Sequence, residues 1–204
     1  MKQLTVIIIL IILVTNTLFS QTATTIKTPK GSVVSDSYII PEMTAADIAA
    51  INQYTVTNYP NATILSDASD TYNCHGYAWY ISEGGSNVWI GYTTTTAEDI
   101  FWTDGSYYEF FCQTPNSKVS YASDNYSAIT TTVTDIFQSK WGNFPLLLHN
   151  KNYTPYNSSV LKYYKKPFST STNAICTTQV FTVNAPNGTS VSWSVSSSGI
   201  VSLQ

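Results

Sequence analysis

The chain of 204 residues has twelve acidic side chains and nine basic ones, all of them lysine, and its formal net charge is −3. The lack of arginine excludes the bidentate clamps by which proteins bind phosphate and carboxylate groups, and without a basic run we expect no nucleic-acid binding. Charged residues are only 10% of the chain, against about a quarter in typical soluble domains. Its polarity comes instead from Ser, Thr, Asn and Tyr, a composition that favours an extracellular protein.

The N-terminus has the three parts of a secretory signal. A lysine lies in residues 1–3, a run that is apolar except for Thr5 covers residues 4–14, and residues 15–21 are mainly polar. The apolar run is too short to span a bilayer comfortably. We therefore predict a signal peptide over residues 1–20, a secreted or cell-surface protein, and membrane contact only through this segment before cleavage. A permanent N-terminal membrane anchor is the alternative.

The first half of the mature chain carries the helix signals. Residues 21–42 show no periodicity and are predicted to be an extended lead-in. Helices are predicted over residues 45–58, 74–81 and 97–102. Thr44 and Asn73 are typical N-cap residues for the first two helices, and Gly84 is a typical stop after the second.

The second half carries the strand signals. Strands are predicted over residues 106–111, 118–122, 127–133, 137–141, 145–149 and 161–164. Helices followed by strands predict an α+β domain over residues 43–166, with its N-terminal helices packed on an antiparallel sheet. A linker over residues 167–173 leads to residues 174–204, where strands are predicted over 180–183 and 191–195. This segment is far shorter than the about 100 residues of an immunoglobulin-like sandwich, so we expect an incomplete β module.

The cysteine count is odd. Either Cys112 and Cys176 form a disulfide that leaves Cys74 free, or all three are thiols. The chain has no Cys-x-x-Cys pair and no closely spaced histidines. We therefore predict neither a metal site nor a cofactor.

Cys74 is predicted at the first residue of a helix, where the exposed backbone N–H groups favour a thiolate and form an oxyanion hole. A nucleophilic cysteine also needs a base within hydrogen-bond reach. His75 is the next residue, and neighbours on a helix point about 100° apart, so His149 is the better placed candidate. Asp124 is a candidate to orient an imidazole. The alternative is that Cys74 is simply a small buried side chain.

The run from Tyr72 to Trp79, Tyr-Asn-Cys-His-Gly-Tyr-Ala-Trp, resembles the signature of a family of secreted bacterial domains. That family has the helix-borne cysteine of papain-like hydrolases, such as the CHAP and NlpC-type cell-wall peptidases. Further matches lie in residues 102–107, 139–142, 145–149, 155–156 and 162–164. The resemblance implies papain-like packing of the helices on the sheet and a Cys74 nucleophile that cleaves or transfers an amide bond. The tail after Lys166 resembles the start of the Ig-like modules of surface-assembled bacterial proteins.

The chain departs from the family pattern at one position. Members resembling it have Asp-His-Ser-Ala where this chain has Asp124-Asn-Tyr126-Ser-Ala, so a tyrosine stands in the place of the base histidine. Either His149 is the working base, with His75 a residue of the cleft, or activity has been lost.

Two hypotheses from different classes follow. The first is a secreted cysteine hydrolase for peptide or peptidoglycan-like substrates. The second is a non-catalytic surface or adhesion module that binds an extracellular glycan or protein through a groove of aromatic side chains, with Tyr72, Trp79 and Tyr126 as its members. A structural domain with a packed Cys74 is the third reading.

Overall fold

The computed structural model describes residues 21–167 and two short strands near the C-terminus. The strands in chain order are β1 (Thr22–Ala23), β2 (Ile26–Lys27), β3 (Val33–Val34), β4 (Ser37–Ile39), β5 (Thr63–Ser66), β6 (Trp89–Ile90), β7 (Tyr108–Phe110), β8 (Lys118–Tyr121), β9 (Tyr126–Thr130), β10 (Ile136–Lys140), β11 (Leu146–Asn150), β12 (Leu161–Lys165), β13 (Trp193–Val195) and β14 (Val201–Leu203). The α-helices are α1 (Ala45–Asn58), α2 (Cys74–Trp79) and α3 (Ile100–Thr103).

Seven strands form one large sheet in the spatial order β5-β11-β10-β9-β8-β12-β7. Every neighbouring pair in it is antiparallel. The α+β prediction is confirmed in this coarser form, a mixed fold of helices and a large antiparallel sheet. The strands outweigh the helices, because α2 and α3 are each little more than one turn long.

The predicted lead-in is more ordered than the sequence indicated. Strands β1, β4 and β6 form a three-stranded sheet, and β2 pairs with β3 in a second small sheet. Ile26 and Val34 are buried at 6% and 1% exposure. These strands are two or three residues long, too short to show the alternation of apolar and polar residues from which a strand is predicted.

The helices differ in how they pack. Helix α1 begins at its predicted cap, where the Thr44 side chain accepts a hydrogen bond from the backbone N–H of Asp47, and Thr55 is its one buried residue. Helix α2 contacts strands β8, β9 and β10 near the middle of the large sheet. The sheet therefore fixes α2 far more closely than α1.

Two clusters of buried side chains make up the core. We call the first the Trp79 cluster; it includes Trp79, Phe101, Tyr107, Ile129 and Tyr164. We call the second the Cys74 cluster; it consists of Cys74, Val119, Tyr121, Tyr126, Ala128, Phe137, Trp141 and Leu147. Tyr126 and Ala128 on β9 belong to one cluster and Ile129 to the other, as the alternation of side chains along a strand requires.

At the C-terminus, β13 and β14 pair antiparallel, with Trp193 opposite Leu203. Strand β13 falls within the predicted strand over 191–195, whereas the strand over 180–183 and most of the linker lie outside the described residues. The predicted signal peptide over 1–20 lies outside them as well. Among the residues that the structure describes, no helix has the length and apolar character needed to cross a membrane.

Candidate active site

Asn73 fixes the start of helix α2. Its side-chain Oδ1 accepts the backbone N–H of Gly76 at 2.9 Å, the N-cap bond that the sequence predicts, and the N–H of Ile90 at 3.2 Å. Its Nδ2 donates to the carbonyl oxygen of Ile90 at 2.7 Å. One buried amide therefore ties the beginning of α2 to β6 and holds the backbone on either side of Cys74.

Cys74 is the first residue of α2 and is 5% exposed. It is a free thiol, whereas Cys112 is disulfide-bonded. These states agree with the first of the two predicted cysteine arrangements; Cys176 lies outside the described residues. Cys74 belongs to the same buried cluster as Tyr126 and Trp141.

His75 is almost fully buried, at 1% exposure, and both ring nitrogens have partners on or beside β9. Nε2 lies 2.9 Å from Oδ1 of Asn125, and Nδ1 lies 2.8 Å from Oγ of Ser127. An amide oxygen can only accept, so Nε2 carries the proton in the neutral ring and Nδ1 is free to accept one. Ser127 is placed in turn by Trp79, whose Nε1 donates to the same Oγ at 2.9 Å.

The pKa of His75 depends in part on the neighbouring thiol of Cys74. Burial lowers the pKa of His75, but the charge of Cys74 and hydrogen bonds with Cys74 and Asn125 raise it, and the net pKa lies above the ordinary 6.5. Oε1 of Glu98 lies 3.4 Å from Nδ1. The sequence argument placed His75 at an unfavourable angle to Cys74; even so, Cys74 raises the pKa of His75.

His149 lies in a different setting. Its Nδ1 donates to the carbonyl oxygen of Asn150 at 2.8 Å, and its Nε2 accepts from Oγ of Ser139 at 2.7 Å. Burial lowers its pKa to about 4, against backbone hydrogen bonds that raise it. His149 is therefore a neutral ring at ordinary pH, and both of its nitrogens are already engaged.

Tyr126 shares the partner Ser139 with His149 and belongs to the same buried cluster as Cys74. Its hydroxyl donates to Oγ of Ser139 and lies 3.5 Å from Nε2 of His149, while its ring stacks on Tyr156 at a centroid distance of 3.9 Å. Burial raises the pKa of Tyr126 well above 10, and the charge of Cys74 adds to this effect. The phenol therefore stays protonated and cannot serve as a base at neutral pH.

The remaining candidates have structural contacts. The Asp124 carboxylate accepts the backbone N–H groups of Asn125 at 2.8 Å and Asn157 at 2.9 Å, so it caps a turn and orients Asn125 only through the backbone. Trp79 and Tyr126 are each 1% exposed, and Trp79 lies at the wall of a second groove together with Lys27, Tyr80 and Phe101. Tyr72 is half-buried, and its ring lies 4.9 Å from Nζ of Lys140.

Lys140 is a buried cation that the strand pattern did not reveal. Its Nζ donates to the carbonyl oxygens of Ser69 at 2.7 Å, Gly142 at 3.1 Å and Phe144. Burial lowers its pKa to about 7, although nearby carboxylates and Cys74 raise it. Three carbonyl acceptors match the three N–H bonds of an ammonium group. Lys140 thus joins the loop that leads to Cys74 to the turn between β10 and β11.

A surface groove of about 410 Å³ lies beside this loop. Its lining includes Glu42, Asp47, Asp70, Trp89 and Tyr92, and does not include Cys74 or either histidine. Within the described part of the chain, no group of three or more His, Cys, Asp or Glu side chains could hold a metal ion.

Comparisons of the chain with protein-family models, with curated proteins and with solved structures found no match. The geometry of the Cys74 region is therefore the basis for any functional argument.

Proposed function

We propose that this protein is a secreted cysteine hydrolase for amide bonds in peptide or peptidoglycan-like substrates, with Cys74 as nucleophile and His75 as base. One observation carries the proposal: Cys74 is a free thiol at the first residue of α2, and the next residue, His75, is an imidazole held at both nitrogens whose pKa Cys74 raises. A nucleophile beside an oriented base is the arrangement that covalent amide hydrolysis needs.

The choice of His75 over His149 follows from their surroundings. The pKa of His75 is raised, whereas burial lowers that of His149 to about 4. A base that protonates only near pH 4 accepts a thiol proton poorly at neutral pH. The packing of α2 on antiparallel strands supports the papain-like arrangement that the sequence resemblance implies.

The chemical steps balance with these two side chains. The thiol proton of Cys74 passes to Nδ1 of His75, and the thiolate attacks the carbonyl carbon of the amide. The imidazolium returns the proton to the leaving amine as the C–N bond breaks, which leaves a thioester on Cys74. Water, deprotonated by His75, then attacks the thioester, releases the acid and restores the thiol.

The test compares the wild-type protein with Cys74→Ala, His75→Gln and His149→Gln variants on fluorogenic peptide amides and on peptidoglycan fragments. We expect Cys74→Ala and His75→Gln to lose hydrolysis by about a hundredfold or more and His149→Gln to retain most of it. Mass spectrometry of the quenched wild-type reaction should find the acyl group on Cys74. Undiminished hydrolysis by Cys74→Ala would exclude the proposal. Secretion is tested separately, by an N-terminus at or near Gln21 in the exported protein.

A second candidate function is a non-catalytic surface module that binds a glycan or protein. The groove beside the Cys74 loop favours it, because Trp89 and Tyr92 pack edge to face at 6.3 Å and Tyr92 is 45% exposed. Aromatic faces of this kind suit sugar rings. This function predicts that Tyr92→Ala weakens binding to glycan arrays while Cys74→Ala leaves it unchanged.

A further inference from the structure

Glu98 is a buried carboxyl group beside the proposed base. It lies in the single turn of 3₁₀ helix Ala97–Asp99 and is 5% exposed. Its Oε1 lies 3.4 Å from Nδ1 of His75, and its Oε2 is buried with no hydrogen-bond partner among the described residues. Burying a carboxyl oxygen without a partner is unfavourable, because the group gives up its hydrogen bonds to water. Packing alone therefore does not explain why the carboxyl group of Glu98 lies at this position.

We propose that Glu98 is a positioning residue that orients the His75 ring and balances the charge that this ring gains when it takes up the proton of Cys74. The proposal deepens the hydrolase function and rests on it for the role of His75 as base. The contact between Glu98 and His75 does not depend on that role.

The geometry determines which nitrogen is involved. Nε2 of His75 donates to Asn125, so a second proton can only be placed on Nδ1, the nitrogen that faces Ser127 and Glu98. Ser127 is a neutral hydroxyl already bound by Trp79. The charge on a protonated ring therefore meets its nearest carboxyl oxygen at Glu98.

Electrostatics supports this arrangement. Burial raises the pKa of Glu98 to about 7; its own backbone N–H lowers it, and Asp99 raises it. The titratable groups that act on His75 are Cys74 on its own helix and Glu98 and Asp99 on the facing turn. At neutral pH, where Glu98 is about half ionised, its carboxylate form favours an imidazolium beside it, because opposite charges at this distance attract each other.

Proton titration of His75 by NMR tests the proposal directly. The chain has two histidines, so a His149→Gln sample assigns the ring signals. We expect Glu98→Gln, which keeps the side-chain shape, to lower the midpoint of the His75 titration by about one pH unit or more. Asp99→Asn is the matched control: the charge of Asp99 also raises the pKa of His75, but the described ion pair of the ring is with Glu98, so we expect a smaller change. A midpoint in Glu98→Gln equal to that of wild type or of Asp99→Asn overturns the proposal.

A measurement on the wild-type protein tests the proposal even if the Glu98→Gln variant does not fold. The side-chain carboxyl carbon of Glu98 should titrate together with the His75 ring, each signal showing the inflection of the other. Independent inflections overturn the proposal.

The two proposals fail in different experiments. The titrations need no substrate, so loss of the hydrolase proposal through an active Cys74→Ala variant leaves the link between Glu98 and His75 intact as a structural finding. Where hydrolysis is measured, Glu98→Gln should lower kcat with KM little changed and shift the acid side of the pH profile, whereas Asp99→Asn should change both less than Glu98→Gln does. A pH profile that Glu98→Gln does not move overturns the positioning role.

Discussion

Asn73 shows how much one side chain fixes at the candidate site. It is 4% exposed and makes three hydrogen bonds to backbone groups of Gly76 and Ile90. The bond to Gly76 belongs to the helix cap, and the bonds to Ile90 join α2 to β6. A residue that holds both elements sets the position of Cys74 relative to the neighbouring strands.

We expect Asn73→Ala to lower the free energy of unfolding by about 2–4 kcal/mol, because it removes a cap and leaves buried groups of Ile90 without partners. Asn73→Asp keeps the two accepted bonds and should cost less. Urea unfolding measures both. The exposed cap of α1 is the control, where Thr44→Ala should cost about 1 kcal/mol. Equal losses at the two caps would contradict the joining role of Asn73.

At the residue scale, the sequence predicted local contacts and missed distant ones. The Asn73 cap was predictable because a cap bond spans only three residues. The bonds from Asn73 to Ile90, from His75 to Ser127 and from Lys140 to Ser69 join residues far apart in the chain. Nothing in the spacing of a single sequence indicates them. Glu98 lies in the first turn of the helix predicted over residues 97–102, and nothing in the neighbouring residues indicates that its side chain is buried.

Helix α2 packs against β6 and against the loop before β6, and Gly76 lies in close contact with the backbone of that loop. A Cβ placed on Gly76 would stand 1.9 Å from the carbonyl oxygen of Val88 and 3.1 Å from its carbonyl carbon. The backbone of Val88 cannot move away without disturbing the bonds between Asn73 and Ile90. The glycine after Cys74 and His75 is therefore a requirement of close packing.

We expect Gly76→Ala to cost about 3 kcal/mol or more, because the added methyl group overlaps backbone. Gly84→Ala is the control within the same region. Gly84 has a φ angle of 93° and nothing within 4 Å of its Cβ position, so the variant should lose only about 1–2 kcal/mol through left-handed backbone strain. Thermal unfolding of the two variants measures both losses of stability. A milder effect at Gly76 than at Gly84 would show that α2 can shift away from β6.

At the element scale, the periodic segments were predicted well. The first helix was predicted at the bounds found for α1, and β10 and β11 lie within one residue of their predicted positions. Strand β9 begins one residue before its predicted start and ends three residues before its predicted end. The pairing order was not predictable, because β12 inserts between β8 and β7 rather than following the chain. The short strands of the lead-in were not predicted, because each is only two or three residues long.

In the part of the chain that the structure describes, His149 and Glu98 are buried groups whose protonation acts on stability in opposite directions at mildly acidic pH. His149 takes up a proton near pH 4 in the folded protein but near 6.5 in the unfolded chain. Between these values the unfolded chain binds more protons, so stability rises with pH. Glu98 releases its proton near pH 7 when folded but near 4.5 when unfolded. Between those values the folded protein binds more protons, so stability falls as pH rises.

The two effects should nearly cancel in the wild-type protein between about pH 4.5 and 6.5, and single variants should uncover them. We expect the unfolding free energy of Glu98→Gln to rise with pH across this window, by about 2–3 kcal/mol relative to wild type, and that of His149→Gln to fall by a similar amount. Urea unfolding at half-unit pH steps measures the slopes. The double variant provides the control, because its curve should run parallel to the wild-type curve once both groups are gone. Parallel curves for all four proteins would mean that His149 and Glu98 keep their ordinary pKa values on folding, and that the burial of these two side chains does not govern how the molecule responds to acid.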